Sequence, residues 1–189
     1  MTILIILLGV LVSMWNAFVA GACWRSREVP RLLLWCALIM SACGFTQAYV
    51  AVIGSVAASA HWITPRAAQA LFSLEYLLIL APVLGAGTII TIHSWQAFLR
   101  TRSWLDGAAA TYNTGAMISN VYEASRAAPS AMGNVLEFFT SSDGDSDSDG
   151  ALAKIVVGLL LLIAVLLAVG TTQLFFGIGY RTSLRQALA

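Results

Sequence analysis

Four long apolar stretches constrain this chain more than anything else in it: about Ile3 to Cys23, Leu32 to Ala58, Ala67 to His93 and Ala151 to Tyr180. Each is long enough, at 1.5 Å per helical residue, to cover most or all of the ~30 Å of hydrocarbon in a bilayer. A helix satisfies its own backbone there, so the expected fold is all-α: a polytopic membrane protein with four transmembrane helices. Composition agrees. Of 189 residues 59% are hydrophobic and only 10% charged, against roughly 25% charged in an average soluble domain. The predicted organisation is residues 1–94 with three transmembrane helices (about 3–23, 32–58 and 67–93), residues 95–150 as a mostly helical cytoplasmic insertion, and residues 151–189 as the fourth helix and a short tail.

The first span has one competitor, a secretory signal, because Ala20 to Cys23 vaguely resemble a lipoprotein cleavage site. No positively charged segment precedes the apolar run, so it reads as a retained helix with Ser13 and Asn16 as its polar marks. Pro30 and a cluster of arginines then turn the chain. Along the second span Ala37, Ser41, Gly44, Ala48, Ala51 and Ser55 recur at alternating spacings of four and three, a seam of small residues. Small residues let helix backbones approach closely, which in lipid replaces the missing hydrophobic drive. Gln47 is placed to hydrogen-bond beside that seam.

The third span carries Glu75, the only acid inside a long apolar stretch, and an intramembrane carboxylate is a functional-site hypothesis by default. At 100° per residue Pro82, Ala86 and His93 fall on nearly the same stripe as Glu75. His93 is nonetheless about 27 Å along the axis from Glu75, so the two mark the ends of a stripe and cannot pair. Gln173 is the corresponding polar candidate in the last span.

In the insertion, two short helices are expected around Thr111 to Ala127 and Ser130 to Thr140, divided by Pro129. In the second, Met132, Val135, Leu136 and Phe139 stand at i, i+3, i+4 and i+7 and form an apolar face for a cytoplasmic partner. The tract Ser141 to Gly150 is an acidic linker. Asp145, Asp147, Asp149 and Gly150 match the opening of a calcium loop, but Val156 stands where its bidentate Glu belongs.

Charge and cysteine content exclude several classes. A net charge of +1 gives no basic surface for nucleic acid. Cys23, Cys36 and Cys43 form no C-x-x-C pair and read as small buried thiols, so neither a metal nor another cofactor is called for. No nucleophile elbow, zinc-protease motif or second intramembrane carboxylate accompanies Glu75, and the two histidines bracket the third span, too far apart for a shared haem. The chain is therefore read as no enzyme. With four spans, the Lys and Arg count is seven to three in favour of both termini outside the cytoplasm. Abundant Arg, Ala and Gly fit a GC-rich bacterial source and hence the cell inner membrane. The expected function is a non-enzymatic integral membrane subunit that assembles with itself or with partner subunits. The alternative is an oligomeric proton or cation channel or transporter component that uses Glu75.

Overall fold

The computed structural model describes residues 2–140 and 147–188, all five of its elements are helices, and no strand occurs among the described residues. They are α1 (Thr2–Ala22), α2 (Arg31–Ser59), α3 (Pro65–Thr101), α4 (Trp104–Thr140) and α5 (Asp147–Leu188). Local chemistry sets several ends. Pro30 precedes α2. Thr64 caps α3, its hydroxyl accepting from the Ala67 amide at 3.2 Å, with Pro65 at the first helical position. Arg102, in the left-handed region at φ 53°, closes α3. Three helices, α2, α3 and α5, are long and apolar enough to cross a membrane, and Ile6–Ala22 of α1 is a shorter apolar helix.

Successive helices alternate in direction. Ser13 of α1 meets Ser41 and Gly44 of α2, and Gly54 near the end of α2 meets Leu71 and Phe72 near the start of α3. The far end of α4 lies by the start of α5, where the Lys154 ammonium donates to the Phe139 carbonyl at 2.9 Å. With five elements the described chain ends fall at opposite ends of the bundle. One end gathers the α1–α2 turn, the end of α3, the start of α4 and the end of α5, and with them Arg25, Arg27, Arg31, Arg100, Arg102, Arg181 and Arg185. Arg66 and Lys154 are at the other.

The central helix is α2, which packs against α1, α3 and α5. Its contact with α1 and α5 is polar and close. The Ser41 hydroxyl, fully buried, donates to the Ser13 carbonyl at 2.8 Å and shares a 3.4 Å hydrogen bond with Thr172. Tyr49 and Thr171 hydroxyls are 2.8 Å apart. The tightest crossing is between α1 and α5: a Cβ on Gly21 would stand 2.0 Å from the Phe176 carbonyl oxygen, and one on Gly179 2.0 Å from that of Phe18. The two glycines thus seat each helix on the other's backbone. Nearer the opposite end, Val50, Ala57, Ala67, Leu71, Phe138 and Val157 form the apolar core.

Residues 104–140 correct the helices expected within the insertion. Instead of two short helices split at Pro129, they form one helix that continues through it and lies antiparallel along the length of α3. Proline in a helix interior costs about 3 kcal/mol, so something must hold the two halves in line. That something is a seven-residue repeat, Ala110, Met117, Ala124, Ala131 and Phe138. Four of these are buried, and the Met117 sulfur would lie 3.2 Å from a Cβ on Gly87. A heptad of this kind is the signature of two helices winding around one another. The acidic tract is largely outside the described residues, which omit 141–146 and the side chains of 147–149, and the calcium-loop reading lies there with it.

The glycine crossing gives a direct stability prediction. Gly21→Ala forces the two backbones apart and should destabilise the protein in detergent by about 1–3 kcal/mol or more. Gly158→Ala, with nothing within 4 Å of the new Cβ, should leave the melting temperature near that of the wild type. Equal behaviour of the two variants would show that the crossing is not close.

Candidate functional site

Glu75 is held on the buried side of α3. It is 6% exposed, and its Oε1 has no hydrogen-bond partner. Cys43 of α2, also buried, lies within electrostatic reach of it. Two residues back, Ser73 accepts a hydrogen bond from the Asn134 amide of α4 at 3.2 Å, so the turn that carries Glu75 is pinned between α2 and α4. A buried polar group without a partner costs on the order of 1–3 kcal/mol. The fold bears that cost at Glu75.

The stripe drawn from Glu75 to His93 does not survive as one environment. Pro82 is exposed, Ala86 is buried and His93 is half-buried. The reason is that the neighbours of α3 change along its length. His93 opens instead into a cavity of 340 Å³ at the arginine-rich end, lined also by Glu28, Ser94, Arg100 and Asp106. There Asp106 accepts a hydrogen bond from Thr101.

The other polar candidates are dispersed. Asn16 is half-buried on α1, whereas Gln47 and Gln173 are exposed. Gln173 lies on an apolar groove of 380 Å³ between α2 and α5 that Trp24, Trp35 and Phe176 also line. Of the small-residue seam, Ser41 is buried, Ala37, Gly44, Ala48 and Ala51 are half-buried, and Ser55 is exposed. It is the Ser41 and Gly44 stretch that meets α1. The face of Met132, Leu136 and Phe139 is exposed and Val135 is half-buried, while Phe138 takes the core position beside them. Among the described residues no three His, Cys, Asp or Glu side chains are grouped so as to hold a metal ion.

The α3–α4 seam is where the polar residues of the middle of the chain go. Asn113 donates to Ser94 at 2.7 Å, the Thr91 hydroxyl donates to the Asn113 carbonyl at 3.3 Å, and the Trp95 indole donates to Thr114 at 2.9 Å. At the other end Arg66 pairs with Glu137. These pairs fix the register. With Ser73 beside Asn134 and Thr88 beside Met117, Glu123 and Arg126 fall beside Val83 and Leu80, the middle of the apolar run of α3. Both are exposed on α4. Arg126 donates to the Tyr122 hydroxyl at 3.0 Å and sits over that ring, and Glu123 has no ion pair or side-chain hydrogen bond among the described residues. Neither residue stands out in the sequence, since both fall in the polar stretch between the apolar runs. The signal that would have placed them was the seven-residue repeat that runs past them on both sides.

Two substitutions separate a carboxyl kept for structure from one kept for another purpose. Ser41→Ala removes a satisfied buried hydroxyl and should lower stability in detergent by about 1 kcal/mol. Glu75→Leu removes an unsatisfied one and should hold or raise the melting temperature. A fall as large as that of Ser41→Ala would mean that Glu75 contributes to holding the helices together.

No protein-family model, no curated protein and no solved structure matches this chain.

Proposed function

We propose that this chain is a non-enzymatic integral membrane subunit that works by assembling with copies of itself or with partner subunits. The observation that carries the reading is the position of Glu123 and Arg126, exposed halfway along a helix that lies against the apolar run of α3. On insertion scales a charge at the centre of a membrane helix costs about 2.5–3.5 kcal/mol. Lipid is thus a poor neighbour for that face, and protein is a good one.

In this reading α4 crosses the bilayer with α3, although it is less apolar than the three long spans, because its polar side chains are satisfied across the seam. Five crossings replace the four expected, and the insertion is no longer a cytoplasmic domain. The basic residues then divide seven to two, with Arg126 in between, a sharper bias than the four-span count gave. Arg181 and Arg185, which opposed the earlier orientation, join the majority. The positive-inside rule puts the arginine-rich end and the C-terminus in the cytoplasm and the N-terminus outside, in a plasma membrane such as the bacterial inner membrane.

A second reading, a channel or transporter component for protons or cations, has one observation in its favour, the unpartnered Oε1 of Glu75. In that case Glu75→Gln should abolish or strongly reduce flux in reconstituted vesicles. Unchanged flux, or none in the wild type, removes it.

The assembly reading is tested by native mass spectrometry of the protein extracted in its own lipids. The expected result is a particle heavier than one chain, with no catalytic component needed to hold it together. A single chain alone would contradict it.

A further inference from the structure

The exposed side of α4 carries a second periodic seam. Ala116, Ser119, Glu123, Arg126, Ser130 and Gly133 recur at alternating spacings of three and four, and all six are exposed. The α3-facing repeat of Ala110 to Phe138 occupies a different side of the helix. At the ends of the second seam the residues are small, and a Cβ on Gly133 would meet nothing within 4 Å. At its middle stand one acid and one base, at the depth of Val83 and Leu80.

We infer that the occupant of this face is a second copy of the same chain, packed α4 against α4 about a two-fold axis along the membrane normal, with Glu123 of each copy paired with Arg126 of the other. The inference rests on the assembly reading and names its partner. Charge complementarity selects the occupant. A two-fold interface brings a patch against itself, so the patch must be its own complement. Glu123 and Arg126 are three residues apart, about 4.5 Å along the axis and on the same side of the helix. An axis along the normal keeps each residue at the depth of its own copy. Each Glu123 then meets its counterpart's Arg126 at that small offset, within reach of two long side chains, and two ion pairs form. With one acid and one base at its middle, the face is its own complement.

The flanking residues let this happen. Ala116, Ser119, Ser130 and Gly133 leave room for two backbones to come close, as small residues do wherever membrane helices pack tightly. The Arg126 to Tyr122 hydrogen bond of the isolated chain holds the guanidinium on the helix surface, facing outward, until Glu123 of the other copy takes it. Both charges are then removed from lipid without any rearrangement of α4 on α3.

The test is a charge-swap cycle on the full chain in phosphatidylcholine vesicles, with the number of copies per particle counted by single-molecule photobleaching. Wild type should show two copies. Glu123→Arg and Arg126→Glu should each reduce the dimer fraction about tenfold, and the double reversal should restore it. If either single reversal fails to insert, the neutral pair Glu123→Gln with Arg126→Gln is expected to insert and to lose the dimer. A dimer that persists through both single reversals or through the neutral pair, or particles of more than two copies, overturns the inference and leaves assembly standing. A single copy in vesicles from a protein that extracts from its own membrane together with other subunits overturns only the self-pairing. A single copy in both settings overturns this inference and the assembly reading together.

Discussion

Everything in this molecule depends on how α4, the least apolar of its helices, is held against α3. If α4 crosses the bilayer as proposed, hydrocarbon offers it no hydrogen bonds, so it can lie beside apolar α3 only if its side chains find partners in the protein. Asn113, Thr114 and Asn134 find them on Ser94, Trp95 and Ser73. Alanines at seven-residue intervals bring the backbones close enough for those bonds to form, and the same packing carries the helix through Pro129. The direction of α5, the position of the chain ends and the distribution of arginine all follow from that one pairing.

The opposite half of the bundle uses the same physics with less polarity. Gly21 and Gly179 let α1 and α5 touch backbone to backbone, and buried Ser41 ties α1, α2 and α5 together through hydroxyl contacts. Many large apolar side chains point outward instead. Leu4, Leu8, Leu159, Leu166 and Leu174 are all more than half exposed. For a protein in lipid that is the expected inversion, since a leucine gains little from leaving a solvent as apolar as itself.

That inversion also explains what was legible in the sequence. Long apolar runs are read reliably because length and lack of charge are sufficient, and the helices over 31–59 and 65–101 contain the stretches expected of them. The Ser41 and Gly44 part of the small-residue seam was visible for the same reason: its spacing is local. The stripe of Met132, Leu136 and Phe139 was legible in its spacing, but the residues that pack beneath it were not. Here those side chains point outward, and Ala131 and Phe138 face the core. The fate of α4 was recorded in a period, not in hydropathy: alanine every seven residues is quiet beside runs of leucine, and Pro129 seemed to interrupt it. For the site, Glu75 could be found as a lone carboxyl, but its missing partner could not, since whether an oxygen is paired is decided by residues on the helices packed against it. The placement of Glu123 and Arg126 beside the middle of the apolar run of α3 needed the α3–α4 register, and no local pattern encodes a register between helices.

The claim on which the rest turns is that α4 crosses the bilayer. It is tested most directly by placing single cysteines at its two ends, Ser103→Cys before it and Ser142→Cys after it, in a chain whose Cys23 is replaced by Ser. Intact cells are labelled with a membrane-impermeant maleimide. The account predicts that the cysteine at 142 is labelled from outside and that the one at 103 reacts only after the membrane is opened. Labelling of both from the same side would return residues 104–140 to a loop on one face of the membrane and would contradict the account.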